Sequence, residues 1–163
     1  MYQRILVPFD GSAPSRRGLL EAIRLARPLG ARLVLLHVAD AYPALLGQAP
    51  VSAHAHSLDL SRARAQALLD DAAATALAAG VEADTVVREA GSESTADAIL
   101  AQAGALPCDL IAMGTHGRRG WQHALLGSDA EQVVRRSSVP VALYSATSAS
   151  PCGKETPPAT SRL

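Results

Sequence analysis

The sequence predicts an α/β domain built on a doubly wound, five-stranded parallel sheet with helices on both faces. Two observations support this prediction. Short apolar runs alternate with helical patterns along the chain, and most of the runs are almost continuously apolar, as expected for strands buried on both faces. The resulting order, βαβαβαβαβ, implies right-handed crossovers between parallel strands.

The elements follow from the local patterns. The predicted strands cover residues 4–9, 32–38, 82–89, 109–114 and 140–145. The predicted helices cover residues 14–30, 57–79, 94–104 and 129–137. In sheets of this kind, ligands bind beyond the carboxyl ends of the strands, near the point where the strand order reverses. The residues that follow each strand are therefore the first candidates for a site.

Capping signals support the first two helices. Ser12 is expected to be the N-cap of the first helix and Pro14 to lie in its first turn, whereas Gly80 is expected to end the second helix. The face of the first helix that is predicted to be buried carries Leu19, Leu20, Ile23 and Ala26.

Composition and charge narrow the expected partners and location of the protein. The chain has 163 residues and a formal net charge of zero, so no global charge favours nucleic acid or an anionic membrane as a partner. No leader peptide or apolar span is apparent, which makes the cytoplasm the expected location. Cys108 and Cys152 form no disulfide framework. We expect a domain over residues 1–146 and a disordered Ser-, Thr- and Pro-rich tail over residues 147–163.

A long connection, residues 39–57, separates the second predicted strand from the second predicted helix. It leaves the sheet at the edge where ligands bind, so it is either a lid or a mobile surface excursion. His54 and His56 within it lack a third partner at metal-ligand spacing.

Glycines are concentrated between the fourth strand and the last helix. Gly114, Gly117 and Gly127 follow the spacing G-x2-G-x9-G, and Ser128 comes directly after the last glycine. Neither of the two best-known phosphate-loop patterns occurs in the chain. The helix that starts at this point offers N–H groups and a positive dipole end, which together suit an anion.

This glycine spacing resembles the nucleotide motif of the universal stress protein family, in its ATP-binding subgroup. "ILVPFDGS" is similar to the family's first strand with its terminal Asp, "LVLLHV" to its second strand, and "AEQVVRRSSVPVALY" to its last helix and strand. The resemblance covers roughly residues 1–145. It implies a Rossmann-like sheet with strand order 3-2-1-4-5, in which strands one and four are neighbours.

The resemblance also implies an ATP site, with Mg²⁺ accompanying the nucleotide. Asp10 would hydrogen-bond the ribose or approach the metal, and the Val38 backbone would meet the adenine. Pro8 and Phe9 lead into Asp10. Met113 and Gly114 would flank the adenosine. The phosphates would be held by Gly117, Gly127, Ser128 and the backbone of Asp129, with His116 and Arg118 as neighbours in the loop.

Several of these residues have a simpler explanation. Asp10 precedes a glycine and suits a turn. Ser128 and Glu131 form a capping-box pattern worth about 1 kcal/mol without any ligand. Asp129 departs from the family, because members that bind ATP usually carry a neutral residue there, and an acid competes with phosphate. His37 is expected to be a hydrogen-bonded core histidine rather than a ligand.

Three functions remain open from the sequence. The first is a stress-response protein that binds ATP as a regulatory or structural ligand. The second is a module that holds no nucleotide and acts as a homodimer paired through residues 140–145. The third is a slow ATPase, ranked last because no nucleophile–base pair is apparent and no second carboxylate accompanies Asp10.

Overall fold

The computed structural model describes residues 1–39, 51–89, 91–115 and 126–145, with the backbone alone for residues 51–58. Strands and helices alternate throughout. The strands are β1 (Arg4–Pro8), β2 (Arg32–Ala39), β3 (Ala83–Glu89), β4 (Leu110–Gly114) and β5 (Val141–Tyr144). The helices are α1 (Ala13–Leu29), α2 (Val51–Ala78), α3 (Thr95–Ala105) and α4 (Ser128–Arg136).

All neighbouring strands are parallel, and their order is β3-β2-β1-β4-β5. The predicted fold class and strand order are therefore confirmed. Every predicted strand end lies within one residue of the observed end. The chain leaves β1 for β2 on one side and later places β4 on the other side, so the strand order reverses between β1 and β4.

Helices cover both faces of the sheet because consecutive strand residues point to opposite sides. Ile5 and Val7 face the layer of α1 and α2, whereas Leu6 between them faces the layer of α3 and α4. The first core includes Leu33, Leu35, Leu110, Leu19, Ile23, Leu69, Ala72 and Ala76. The second core includes Val34, Leu36, Ile111, Ala96, Ile99, Ala130 and Val133.

Helix α1 begins as the sequence predicts. The Ser12 hydroxyl accepts a hydrogen bond from the Ser15 N–H at 3.3 Å, and Pro14 lies in the first turn. The prediction for Leu20 is wrong, because this side chain is 45% exposed. The buried face of α1 is centred on Leu19 and Ile23. Because successive helical residues are rotated by about 100°, Leu20 lies away from the centre of this face.

Helix α2 begins at Val51 and not at residue 57, so the predicted start is wrong. Neither glycine nor proline occurs between Pro50 and Gly80, and nothing in that interval stops a helix from extending back to residue 51. The predicted long loop is shorter by the same amount, and its residues 40–50 lie outside the described residues. The end at Gly80 is confirmed, with φ of 78° and its N–H donating to the Leu77 carbonyl at 2.9 Å.

An ion pair connects α3 and α4. Ser94 caps α3 by accepting from the Asp97 N–H at 3.1 Å, and Asp97 accepts from the Ser94 N–H in return. The Arg136 guanidinium at the end of α4 lies 2.6 Å from the Asp97 carboxylate. Hydrogen bonds from the Ser94 hydroxyl and from Arg136 lower the pKa of Asp97 below its usual value.

Among the described residues, no helix combines the length and the apolar character that crossing a membrane requires.

Candidate functional site

The turn after β1 is held from three directions. The Phe9 N–H donates to the Leu36 carbonyl of β2 at 2.7 Å, which extends the strand pairing by one residue. The Asp10 carboxylate accepts from the Ser12 N–H at 3.0 Å, and the Arg16 Nε donates to the Gly11 carbonyl at 3.1 Å. The turn chemistry that the sequence suggested for Asp10 is present, and it gives the carboxylate a defined orientation at the carboxyl edge.

Strands β1 and β4 separate towards this edge. Their ladder pairs Ile5 with Leu110 and Leu6 with Ile111, whereas β1 and β2 remain paired up to Pro8 and Leu36. Both β1 and β4 continue past their last common pair. We call the space between their carboxyl ends the cleft; it lies where the strand order reverses, which is where ligands bind in sheets of this kind.

The predicted residues at the end of these two strands can contribute mainly backbone to the cleft. The Phe9 side chain is 3% exposed and packs in the core beneath α1 and α2. The Met113 side chain is 6% exposed and packs in the core beneath α3 and α4. Because both side chains are buried in opposite layers, peptide groups of Pro8, Phe9 and Met113 are what a ligand would meet.

The end of β2 presents Val38 to the same cleft. The Leu33 N–H donates to the Glu82 carbonyl, so odd-numbered residues of β2 turn their backbone groups towards β3. Even-numbered residues turn theirs towards β1, as the bond from Phe9 to the Leu36 carbonyl shows. The Val38 peptide groups therefore point to the β1 side, beyond the last residue of β1.

The His37 ring forms a hydrogen bond at the turn after β1. Its Nδ1 lies 2.8 Å from the Phe9 carbonyl oxygen, and the residue is half-buried. The expected hydrogen bond of His37 is present, but the residue is half-buried at the edge of the sheet and not part of the core, and its partner lies next to Asp10.

Gly114 permits a close approach between β4 and the start of α1. A Cβ atom at this position would lie 2.6 Å from the Pro14 carbonyl carbon and 2.8 Å from the Ser15 nitrogen. Gly18, one turn further along α1, is 3.3 Å by the same measure from the Gly114 nitrogen. The resemblance implies a contact of Gly114 with the adenosine, and the structure shows that the packing of α1 on β4 also requires a glycine here. This approach also brings Gly114 beside the turn that contains Asp10.

The two ends of the glycine-rich stretch meet. The Gly127 N–H donates to the Thr115 carbonyl at 2.8 Å, and the Thr115 N–H donates to the Tyr144 carbonyl of β5 at 2.8 Å. The start of α4 is thereby tied to the end of β4. Thr115 was not among the predicted site residues, because a residue that acts through its backbone leaves no signal in the side-chain pattern.

Helix α4 starts one residue earlier than predicted. Gly127 is the N-cap, with φ of −70° and ψ of 151°, and Ser128 is the first helical residue. The predicted Ser128 capping box is therefore wrong: Glu131 lies one position too far along the helix and instead pairs with Arg135 at 2.9 Å. No side chain of the described residues caps α4, and its first turn carries two acids, Asp129 and Glu131.

The structure thus brings most of the predicted site to one edge of the sheet. The residues concerned are Pro8, Phe9, Asp10, Val38, Met113, Gly114, Gly127, Ser128 and Asp129. The predicted contacts His116, Gly117 and Arg118, and also Trp121, lie outside the described residues. Within the described ranges, no group of three or more His, Cys, Asp or Glu residues is arranged to hold a metal ion.

A separate cavity lies away from this edge, between α3 and the segment that follows α4. Its volume is about 300 Å³, and its lining includes Gly104, Cys108, Arg136 and Val139. Cys108 is 5% exposed, and burial raises the pKa of its thiol, which keeps the thiol protonated at neutral pH. This environment is that of a structural cysteine.

Comparison with known proteins identifies relatives along almost the whole described chain. The model of the universal stress protein family matches residues 1–145. A universal stress protein of Thermus aquaticus is 33% identical over 146 residues, covering 88% of this chain and 98% of the relative. Another, of Methanocaldococcus jannaschii, is 30% identical over 141 residues, covering 86% and 81% of the two chains.

Solved structures share the fold. The universal stress protein UspA of Lactobacillus plantarum superposes with a TM-score of 0.74 at 26% identity, covering 88% of this chain and 97% of that one. A universal stress protein in complex with cAMP gives a TM-score of 0.64 at 26% identity, covering 90% and 98%. One from Archaeoglobus fulgidus in complex with dAMP gives 0.62 at 21% identity, covering 88% and 98%. The family match, these relatives and the sheet order agree: this chain belongs to the universal stress protein family.

Proposed function

We propose that this chain binds an adenine nucleotide, ATP in the first instance, in the cleft between the carboxyl ends of β1 and β4. The observation that supports this most is the hydrogen bond from the Gly127 N–H to the Thr115 carbonyl. This bond places the start of α4 beside β4, the strand that borders the cleft. The start of α4 is the positive end of the helix dipole, and no side chain of the described residues caps it.

The relatives support the class of ligand. One structure that is 26% identical to this chain is a complex with cAMP. The protein of Archaeoglobus fulgidus, similar in fold, is a complex with dAMP. Both ligands combine an adenine with a phosphate, which is the combination that the cleft and the start of α4 suit here.

The proposed contacts divide the nucleotide into three parts. The Val38 peptide groups point towards the space that adenine would occupy, and Met113 and Gly114 would flank the adenosine. Asp10 would receive the ribose hydroxyl groups. The phosphates would meet Gly127, Ser128 and the Asp129 backbone, with His116, Gly117 and Arg118 contributing from the loop.

Mg²⁺ would enter with the nucleotide rather than as a resident ion. This ion is commonly held by one or two carboxylates together with phosphate oxygens and water. Asp10 is the proposed carboxylate, and its hydrogen bond from the Ser12 N–H gives it a defined orientation at the cleft. One carboxylate fits a metal that the phosphates help to bind, and does not fit a cage made of protein ligands alone.

We also propose that the bound nucleotide is a regulatory or structural ligand rather than a substrate, in a cytoplasmic protein of the stress response. A ligand that binds only the folded chain stabilises it in proportion to its concentration relative to Kd. Any hydrolysis would be slow, since Asp10 is the only carboxylate that we assign to the metal ion, and we assign no general base to an attacking water.

Calorimetry with ATP, ADP, AMP and adenosine in the presence of Mg²⁺ tests this proposal. We expect binding by the wild-type chain and a loss of about tenfold in affinity in Asp10→Asn, because one hydrogen bond to a ribose hydroxyl is removed. Asp84→Asn is the matched control, since Asp84 lies near the start of β3 and pairs with Arg32 at 3.2 Å. Absence of heat and of thermal stabilisation at millimolar nucleotide would refute the proposal.

A second candidate function is a dimeric interaction module that holds no nucleotide. Strand β5 is the edge of the sheet, and its residues Val141–Tyr144 are all half-buried. The Thr115 N–H donates to the Tyr144 carbonyl, so the alternation of a parallel ladder turns the peptide groups of Val141 and Leu143 away from β4. An edge of this kind can pair with the same strand of a second copy.

Sedimentation of two variants tests the dimer separately from the nucleotide. Leu143→Pro removes an outward N–H together with the leucine side chain, whereas Leu143→Ala removes the side chain alone. We expect the alanine variant to remain dimeric and the proline variant to be monomeric. A wild-type chain that sediments as a monomer at micromolar concentration would exclude pairing through β5.

A further inference from the structure

The Phe9 carbonyl is held by a side chain where a backbone donor would be expected. The Phe9 N–H donates to the Leu36 carbonyl at 2.7 Å, so the ladder between β1 and β2 is still in register at this residue. In a continued parallel ladder, the next donor to the Phe9 carbonyl would be the Val38 N–H. The His37 ring takes that place, with its Nδ1 2.8 Å from the carbonyl oxygen.

The partner determines which ring nitrogen carries the proton. A carbonyl oxygen only accepts hydrogen bonds, so Nδ1 of His37 must be the donor. The ring is half-buried, and the residue pairs with Val87 of β3 through its backbone register. The backbone of His37 is therefore held in the sheet by its pairing with β3, and its side chain forms a hydrogen bond to the turn after β1.

Two consequences meet at the cleft. Phe9 directly precedes Asp10, whose carboxylate is oriented by the Ser12 N–H at 3.0 Å, so the direction in which the chain leaves β1 decides where that carboxylate lies. In addition, the Val38 N–H, which points to the β1 side, is not used to extend the ladder onto Phe9. The same ring thus sets the Asp10 turn and keeps a backbone donor at the cleft.

We propose that His37 is a positioning residue of the nucleotide site: its Nδ1–H holds the Phe9 carbonyl, which orients Asp10 and leaves the Val38 N–H for an acceptor on the base. This inference rests on the proposed nucleotide function. His37 itself touches no part of the ligand, so the phosphates are held independently of it.

Two substitutions separate positioning from packing. His37→Asn keeps an N–H donor close to the place of Nδ1, whereas His37→Leu keeps comparable bulk without a donor. Affinity for ATP is measured well below the melting temperature of each variant, with inorganic tripolyphosphate as the probe for the phosphate subsite. We expect His37→Leu to lose about tenfold in ATP affinity, His37→Asn to recover most of it, and tripolyphosphate affinity to stay the same in both.

The outcomes discriminate between the two proposals. If wild-type protein binds no ATP, the proposed function fails. If wild-type protein binds ATP and His37→Leu binds it equally well, only the positioning role of His37 fails, even where the leucine variant melts at a lower temperature. If His37→Leu does not fold, the ¹⁵N chemical shifts of the His37 ring in the wild-type protein decide: a protonated Nδ1 supports the inference, and an unprotonated Nδ1 overturns it.

Discussion

Gly114 and Gly127 delimit the same glycine-rich stretch, yet they have different surroundings. At Gly114 the space of a side chain is filled by the first turn of α1, 2.6 Å from where a Cβ atom would lie. Gly127 has an extended backbone that any residue can adopt, and it opens α4 without a side-chain cap from the described residues. Helix packing alone accounts for the first glycine, whereas the second lies at the start of a helix beside the cleft.

The difference changes how the motif should be interpreted. A glycine that the fold itself requires gives little information about a ligand, because it would be needed in a domain that binds nothing. The helix start at Gly127 and the turn at Asp10 carry the argument for a nucleotide, and the variants below test whether packing and binding separate in this way.

The largest effect is expected for Gly114→Ala. The added Cβ atom would meet backbone atoms of Pro14 and Ser15, which cannot move aside as a flexible side chain does. We expect the free energy of unfolding in denaturant to fall by about 3 kcal/mol or more. Gly104→Ala, in α3 with open space around the added atom, is the control and should be neutral or slightly stabilising. Equal stability of the two variants would contradict the packing account.

An intermediate effect is expected for Gly11→Ala, in the turn after Asp10. Gly11 has φ of 78°, and an added Cβ atom would lie 3.0 Å from the end of the Leu68 side chain. Gly80 has the same φ with nothing within 4 Å, so Gly80→Ala measures the backbone strain alone, about 1–2 kcal/mol. We expect similar thermal destabilisation of both variants, and weaker ATP binding only for Gly11→Ala. Weaker binding in both would mean that the turn has no special role.

A smaller effect is expected for Asp129→Asn. An acid in the first turn of α4 competes with phosphate for the dipole of the helix, an interaction worth about 0.3–1 kcal/mol. Removing its charge should raise ATP affinity about two- to fivefold in calorimetry and leave adenosine affinity unchanged. Glu131→Gln, whose carboxylate pairs with Arg135, should have less effect. A gain for adenosine as well would show that the change does not act on phosphate.

The smallest effect concerns the opposite end of α4. The pKa of Asp97 is lower in the folded chain than its usual value of 3.8, so its ion pair stabilises the fold above that pH and is lost as pH falls through the folded pKa. We expect Asp97→Asn to melt slightly below wild type at pH 7, with the difference shrinking below pH 4. A difference that stays constant between pH 7 and pH 2.5 would contradict the ion pair.

The fold was predictable because its signals are local and repeated. Continuous apolar runs such as residues 32–38 belong to strands with a helical layer on either side, and capping residues such as Ser12 and Gly80 mark helix ends through their own chemistry. The errors arose where a local signal had competitors. Ser128 has the chemistry of an N-cap, but Gly127 occupies that position. The Gly127 N–H donates a hydrogen bond to the Thr115 carbonyl at the end of β4, a non-local contact that the local pattern does not indicate.

The candidate site was predictable in its location and less so in its contacts. The residues at strand ends follow from strand order, so Asp10 and Gly114 were expected at one cleft. The close packing of Pro14 on Gly114 depends on how α1 crosses β4. The only sign of this crossing in the sequence is Gly18, a glycine in the middle of α1 that also lies against Gly114. The bond from His37 to the Phe9 carbonyl depends on the register between two strands, and no motif records it.

Trp121, the only tryptophan of the chain, lies in the sequence between Gly117 and Gly127 and gives the most direct test of the nucleotide site. Its emission should change in a saturable way as ATP with Mg²⁺ is added, and the midpoint should shift to higher ATP in Asp10→Asn. The melting temperature should rise over the same range of concentration. Unchanged emission together with an unchanged melting temperature at millimolar ATP would contradict a nucleotide at this cleft.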